Sequence, residues 1–223
     1  MQALGPFSAI VFDMDGVLLD TEPLYKQAMH QACTDLGFEM TEALHNAQIG
    51  APADLGARMM MDFFGPDFPL ALYNQYTAKT MQVLTADEVP VKPGVRELLF
   101  ELNARKIPAA VATSTSSPTA PERLKRAGIF DMFHAVVTRN DVQNGKPHPE
   151  PFLTAASRIG IDPRSCIALE DSHNGIRSAH GAGMMAIMVP DLLQPNDEIL
   201  ALCHAVMPSL HHVREAAFGP VTV

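Results

Sequence analysis

The chain has 223 residues and carries 16 Lys and Arg residues against 25 Asp and Glu residues, a net charge of −9. Proteins that bind nucleic acid present basic surfaces, so this balance argues against nucleic acid as a partner. Hydrophobic residues make up 47% of the chain, enough for a packed core, but no apolar run approaches the roughly 18 residues of a membrane helix. The 3 widely spaced cysteines match neither a zinc motif nor a disulfide framework. We therefore expect a soluble, cytoplasmic protein without a membrane partner.

Residues 1–91 are predicted to contain one strand followed only by helices. Residues 9–12 form a short apolar run, which is typical of a buried strand. A helix is predicted over residues 22–36, where apolar residues recur at four-residue spacing. Pro52 and Pro69 open two further helical segments. Residues 17–91 are therefore predicted to form a helical cap domain inserted after the first strand.

The remainder of the chain shows strands alternating with helices. Further strands are predicted at 109–112, 135–137, 166–169, 185–189 and 205–206, and helices at 95–104, 121–127, 149–159, 174–181 and 210–217. This alternation favours an α/β fold in which a parallel sheet has helices on both faces. The predicted core is a doubly wound, Rossmann-like sheet formed by residues 1–16 and 92–223.

Polar side chains follow several of these predicted strands directly. Because the carboxyl ends of parallel strands lie at one edge of a sheet, side chains distant in sequence can converge there. The set comprises Asp13, Asp15, Thr113, Ser114, Lys146, Glu170 and Asp171. Taken on their own, Glu170 and Asp171 can be explained as acidic residues that stabilise a helix N-terminus. Their occurrence together with Asp13 and Asp15 favours a functional site.

The four carboxylates of this set need compensating charge. Two carboxylates about 5 Å apart repel by roughly 3 kcal/mol at an effective dielectric constant of about 20. The sum over all pairs rivals the whole stability of a domain, about 5–15 kcal/mol, and one lysine cannot offset it. Either several carboxylates are protonated or a divalent cation lies among them. Oxygen ligands favour Mg²⁺, which commonly accompanies phosphate substrates.

The same residues lie in four segments that resemble, in order, the four motifs of the haloacid dehalogenase-like (HAD) hydrolase superfamily. The segments are 12–21, 111–114, 145–149 and 169–176. The resemblance is to the subfamily with a helical cap after the first strand, which includes phosphosugar and pseudouridine monophosphatases and β-phosphoglucomutase. It implies a phosphatase that hydrolyses a small phosphate monoester, a phosphosugar or a nucleotide-like compound.

The resemblance also implies roles for the motif residues. Asp13 would be the nucleophile that forms an aspartyl-phosphate, and Asp15 the general acid/base. Thr113, Ser114 and Lys146 would hold the phosphoryl group, with Thr113 and Lys146 also counted as catalytic.

The expected cofactor is Mg²⁺. The resemblance implies metal ligands at Asp13, Glu170 and Asp171, and at Asp15 through its backbone carbonyl. These assignments agree with the charge argument, since a cation among the carboxylates neutralises their repulsion.

Selection of the substrate is expected to lie with the cap, because the core handles only the phosphoryl group. Gly50, in a turn over residues 49–52, and Tyr25, on the first cap helix, are the candidate substrate-binding residues. His173 and the pair His211 and His212 are interpreted as surface or core histidines, because oxygen ligands dominate the predicted metal site. A monomer is expected from the self-contained layout of cap and core.

Three other functions are weighed against the phosphatase. A dehalogenase has no use for a leaving-group acid, so Asp15 argues against it. A phospho-receiver module, which signals and does not catalyse metabolism, is smaller and places its paired acids before the phosphorylated aspartate. The main alternative is a phosphomutase, but Tyr25, Ala53 and Ser116 stand where β-phosphoglucomutase has histidine, arginine and lysine.

Overall fold

The computed structural model describes residues 4–49 and 53–220. Within these ranges the strands are β1 (Ala9–Phe12), β2 (Ala109–Ala112), β3 (Ala135–Val137), β4 (Cys166–Glu170), β5 (Met185–Met188) and β6 (Ala205–Val206). They form one parallel sheet in the order β3-β2-β1-β4-β5-β6. The predicted α/β fold class, with a doubly wound parallel sheet, is confirmed.

Helices cover both faces of the sheet, and the side-chain alternation of the strands explains why. Ile10 and Phe12 of β1 belong to one buried cluster and Ala9 and Val11 to the other. The first cluster includes residues of α5 (Val95–Ala104), α6 (Thr119–Arg126) and α10 (Leu210–Phe218). The second includes residues of α7 (Glu150–Arg158), α8 (His173–Gly181) and α9 (Asp197–Leu202). Strands buried on both faces account for their continuously apolar sequences.

The sheet order creates a topological switch point between β1 and β4. Strands β1 to β3 extend to one side and β4 to β6 to the other. Phe12 pairs with Val111 of β2 and with Leu169 of β4. The residue after Phe12 therefore emerges between the ends of two strands, which is where α/β sheets place their ligands.

The chain divides into two compact units. A sheet unit contains the residues up to Asp20 and those from Val89 onward, and a helical unit spans Thr21–Glu88. The helical unit consists of α1 (Glu22–Asp35), α2 (Glu42–Gln48), α3 (Ala53–Phe64) and α4 (Leu70–Leu84). Its buried cluster is rich in Met and aromatic residues: Met40, Met60, Phe68 and Tyr73 with Ala32, Cys33 and Leu44. The predicted assignment of residues 17–91 as a functional cap stays a prediction.

The sequence patterns missed the shortest helices. Helix α2 has 7 residues and α9 has 6, too few for a clear helical period. Both begin with a side-chain cap, since Thr41 accepts a hydrogen bond from Leu44 N and Asn196 from Ile199 N. Within the described part of the chain, no helix combines the length and apolarity that crossing a membrane requires.

Leu98 and Phe100 provide a test of the packing of α5, since Leu98 is fully buried and Phe100 is 63% exposed. Leu98→Ala is expected to lower the free energy of unfolding by about 2–5 kcal/mol, because it leaves a cavity. Phe100→Ala, on the same helix, should change it by about 0.5 kcal/mol or less. Urea denaturation followed by circular dichroism measures both variants. Equal losses would contradict the observed orientation of the helix.

Candidate active site

Three acidic side chains meet where β1 and β4 end. Asp13, Glu170 and Asp171 each place a carboxylate oxygen within 4.8 Å of the others. Asp13 is 8% exposed and Glu170 is fully buried. The strand pairing produces this arrangement, since the Asp13 backbone N–H donates to Leu169 O at 2.9 Å. The geometry of the sheet edge thus brings Asp13, Glu170 and Asp171 together, and the roles assigned to them stay predictions.

Lys146 lies between two of these carboxylates. Its ammonium donates hydrogen bonds to Asp13 Oδ1 and, at 2.6 Å, to Glu170 Oε1. Burial raises the pKa of Asp13 to about 8, and the ammonium of Lys146 acts in the opposite direction. Burial would lower the pKa of Lys146, but the carboxylates of Asp13 and Glu170 outweigh this effect and raise it. Lys146 is therefore held as a charged ammonium.

Glu170 is also held by the start of helix α8. Its Oε2 accepts three hydrogen bonds of 3.0 Å, from Asp171 N, Ser172 N and Ser172 Oγ. Ser172 is the N-cap of α8, and its Oγ accepts a 3.0 Å hydrogen bond from Gly175 N. Hydrogen bonds to an ionised acceptor compensate part of the cost of its burial. The helix N-terminus thus fixes the orientation of the Glu170 carboxylate.

Two glycines leave room for the carboxylates. A Cβ at Gly16 would lie 2.2 Å from Asp171 Oδ2, and one at Gly175 would lie 1.8 Å from the carboxylate carbon of Glu170. Gly16 also has a φ of +85°, a conformation that side chains disfavour. Any larger residue at either position would displace an acid from the cluster.

The donor set fits a divalent cation. Ionisation of all three acids would place more negative than positive charge among Asp13, Glu170, Asp171 and Lys146, which is unfavourable without a further cation. Carboxylate oxygens are the ligands that Mg²⁺ prefers, usually together with water and phosphate oxygens. Asp13, Glu170 and Asp171 are the residues that could hold the ion.

The carboxylate of Asp15 has other partners. Thr115 Oγ1 donates to Asp15 Oδ2 at 2.7 Å, and Arg123 Nη1 donates to Asp15 Oδ1 at 3.3 Å. Sequence analysis singled out neither Thr115 nor Arg123. The charge argument considered one lysine for four carboxylates, whereas the structure adds the guanidinium of Arg123. Metal binding by the backbone carbonyl of Asp15 stays a prediction.

Thr113 and Ser114 follow β2 at the same edge of the sheet. Thr113 is 3% exposed, its N–H donates to Val137 O at 2.9 Å, and its Oγ1 accepts a 3.0 Å hydrogen bond from Thr115 N. Ser114 is exposed. The two residues thus differ in burial, and their predicted role in phosphate binding stays a prediction.

Two candidate substrate-binding residues and three histidines complete the set that the sequence analysis discusses. Tyr25 is half-buried on α1, and Gly50 lies outside the described residues. His173 Nε2 lies 2.9 Å from Gln194 O, and His212 Nδ1 lies 2.8 Å from Ser209 Oγ. Each of these two histidines thus has a local hydrogen-bond partner.

The helical unit contains a cavity of about 360 Å³. Its lining combines apolar residues with polar ones: Glu22, Tyr25, Met29, His45, Gln48, Ile49, Gly56, Ala57, Met60, Leu70, Tyr73, Asn74 and Thr77. His45 is 6% exposed, and its Nδ1 makes no hydrogen bond within the described ranges. The Tyr73 hydroxyl lies near that of Thr77, but neither has a partner with hydrogen-bond geometry among the described residues. Burial lowers the pKa of His45, which favours the neutral imidazole.

A protein-family model described as haloacid dehalogenase-like hydrolase matches residues 10–189 of the chain. This span covers most of the chain, so the protein belongs to the haloacid dehalogenase-like hydrolases. The match includes all four segments that carry the resemblance. The predicted family and the prediction that the protein is a hydrolase are therefore confirmed.

Individual relatives resemble the chain over most of its length. The phosphorylated carbohydrates phosphatase of Thermotoga maritima is 35% identical over 179 residues, 80% of this chain and 83% of that protein. A Drosophila melanogaster protein named "Probable pseudouridine-5'-phosphatase" is 34% identical over 215 residues, 94% of this chain and 92% of its own. The structure of CbbY from Rhodobacter sphaeroides in complex with phosphate has a TM-score of 0.77 and 27% identity, covering 93% of this chain and 96% of that one.

Gly175 and Gly181, both on α8, test the space beside Glu170. Alanine is generally favoured over glycine in a helix by about 1 kcal/mol. Gly175→Ala is nevertheless expected to lower the free energy of unfolding by about 1–3 kcal/mol, because the new Cβ displaces the buried Glu170 carboxylate from its donors. Gly181→Ala should be neutral or stabilising, since its Cβ would lie 3.6 Å from the nearest atom. Urea denaturation measures the free energy of unfolding of both variants. A stabilised Gly175→Ala variant would contradict the close approach of Gly175 to the Glu170 carboxylate.

Proposed function

We propose that the protein is a Mg²⁺-dependent phosphatase that hydrolyses a small phosphate monoester, a phosphosugar or a nucleotide-like compound. The observation that carries the proposal is the cluster of the buried Asp13 and Glu170 with the half-buried Asp171, in which Lys146 is bonded to two of the three acids. The names of the relatives, a phosphatase of phosphorylated carbohydrates and one of a pseudouridine phosphate, support this substrate class. In this proposal the sheet unit is the catalytic core and the helical unit is a cap.

Asp13 is the proposed nucleophile. One carboxylate oxygen attacks phosphorus, the bond between phosphorus and the ester oxygen breaks, and an aspartyl-phosphate forms. Lys146 supports this role because its ammonium is already bonded to Asp13 and holds the carboxylate in place. The same ammonium, with Thr113 and Ser114, is assigned to the phosphoryl oxygens, where negative charge must be stabilised.

The metal ligands in this proposal are the carboxylates of Asp13, Glu170 and Asp171 and the backbone carbonyl of Asp15. Bound Mg²⁺ supplies positive charge that neutralises phosphoryl oxygens. Glu170 is suited to bind a metal ion because three hydrogen-bond donors hold its Oε2 in place and so fix the orientation of the carboxylate.

Asp15 is the proposed general acid and base. It donates a proton to the leaving alkoxide as the ester bond breaks, so that the organic product departs as a neutral alcohol. Its carboxylate then takes a proton from the water that attacks the aspartyl-phosphate. Inorganic phosphate is released, and both Asp13 and Asp15 return to their starting states.

Asp13→Asn is expected to abolish release of p-nitrophenolate from p-nitrophenyl phosphate in the presence of Mg²⁺, because an amide cannot attack phosphorus. The exposed Asp131→Asn serves as the control with the same change in charge. Wild-type protein treated with EDTA should also be inactive and should recover on addition of Mg²⁺. Retained activity in Asp13→Asn would remove Asp13 from the role of nucleophile.

The cavity of the helical unit is suited to bind an organic group, which supports selection of the substrate by this unit. Among its described lining residues there is no lysine or arginine, and His45 is favoured as neutral, so an uncharged group with hydroxyl or amide functions suits it. A phosphomutase must also grip a second phosphate. The lack of a cation among the described lining residues therefore favours hydrolysis over the mutase alternative.

Tyr73 tests the assignment of the cavity. Tyr73→Phe removes one buried hydroxyl and is expected to raise KM for the best substrate of a sugar-phosphate and nucleotide panel by about 2- to 10-fold, the equivalent of one hydrogen bond. Turnover of p-nitrophenyl phosphate should be unchanged. Tyr76→Phe, on the same helix but outside the described lining of the cavity, is the control. Unchanged kinetics of Tyr73→Phe on every substrate of the panel would count against the assignment.

A further inference from the structure

Helix α6 buries one of its basic side chains. Arg123 is 5% exposed, whereas its neighbours Lys125 and Arg126 are exposed. Arg123 shares the inner face of the helix with Ala120 and Leu124, which belong to the core of the sheet unit. A buried guanidinium is unfavourable unless a carboxylate accompanies it. Arg123 contacts the carboxylate of Asp15.

Asp15 is held at both carboxylate oxygens. Arg123 Nη1 donates to Oδ1 at 3.3 Å, and Thr115 Oγ1 donates to Oδ2 at 2.7 Å. The backbone N–H of Thr115 in turn donates to Thr113 Oγ1 at 3.0 Å. A continuous series of contacts therefore runs from α6 through Asp15 to the loop that follows β2. Because separate donors bind the two oxygens, both the position and the plane of the carboxyl group are defined.

We propose that Arg123 is a positioning residue that acts through Asp15. Together with Thr115 it holds the carboxyl group apart from the cluster of Asp13, Glu170 and Asp171, so that Asp15 stays available for proton transfer. The proposal rests on the acid/base role that the proposed function gives to Asp15. An aspartate without these two donors could rotate toward the cations of the neighbouring cluster and be lost to catalysis.

The dependence of the rate on the leaving group distinguishes a positioning role of Arg123 from a merely structural one. An alkyl phosphate such as glycerol 3-phosphate needs a proton on its departing oxygen, whereas p-nitrophenolate is a stable anion that needs none. The ratio kcat/KM includes only the steps up to departure of the leaving group. A misplaced Asp15 should therefore lower kcat/KM for the alkyl ester selectively, while a general loss of structure would lower it for both esters.

The experiment compares kcat/KM for glycerol 3-phosphate and p-nitrophenyl phosphate in a set of variants. Asp15→Asn should lower the value for the alkyl ester by about 100- to 10,000-fold, the usual contribution of general acid catalysis, and the value for the aryl ester far less. Arg123→Gln and Thr115→Val should show the same selectivity with a smaller loss, about 10- to 100-fold for Arg123→Gln. Arg123→Lys should recover part of the loss, and the exposed Arg126→Gln should match wild type.

A double variant tests whether Arg123 acts through Asp15. Arg123→Gln added to Asp15→Asn should cause no further selective loss, because the group that it positions is already absent. If Asp15→Asn itself shows no dependence on the leaving group, the proposed function of Asp15 fails. If Asp15→Asn shows it but Arg123→Gln and Thr115→Val do not, the role of Arg123 alone is overturned. Should Arg123→Gln not fold, Thr115→Val and Arg123→Lys test the proposal instead, through the ratio of kcat/KM for glycerol 3-phosphate to kcat/KM for p-nitrophenyl phosphate.

Discussion

The arrangement of the site depends on one buried ammonium, that of Lys146, which touches Asp13 and Glu170 at the ends of two adjacent strands. Carboxylates removed from water are unfavourable unless they are paired and hydrogen-bonded. Lys146 supplies the pairing, and the start of α8 supplies hydrogen bonds to Glu170. The excess of acids over the one ammonium of Lys146 within this group of four residues supports the proposed cation site. A single electrostatic constraint thus links the placement of the acids to the chemistry proposed for them.

The backbone contributes to the site as much as the charges do. Parallel pairing of β1 with β4 sets Asp13 beside the end of β4, and a topological switch point opens the sheet there. Gly16 and Gly175 then allow the chain to pass closer to the carboxylates than a side chain would permit. The acids are consequently oriented by rigid elements, which favours precise placement of reacting groups.

The parts of the structure that sequence could predict are those with short-range signals. Short apolar runs that end in polar residues located the strands, and with them Asp13, Thr113 and Glu170, because parallel strands end at a common edge. Arg123 could not be found in this way. It stands close to Lys125 and Arg126 in a basic helix, and only the packing of α6 on the sheet decides which of the three is buried. Likewise, the short helices α2 and α9 depend on capping and tertiary contacts more than on their own periodicity.

The position of β1 in the middle of the sheet has a consequence for biosynthesis. Ile10 pairs with Ala109 on one side and with Ile167 on the other. On the ribosome, β1 therefore emerges long before either neighbour exists, while the helical unit, which is compact within Thr21–Glu88, can form first. Until β4 is made, the nascent chain carries an apolar strand with at least one unpaired edge, which is a site for chaperones and for aggregation.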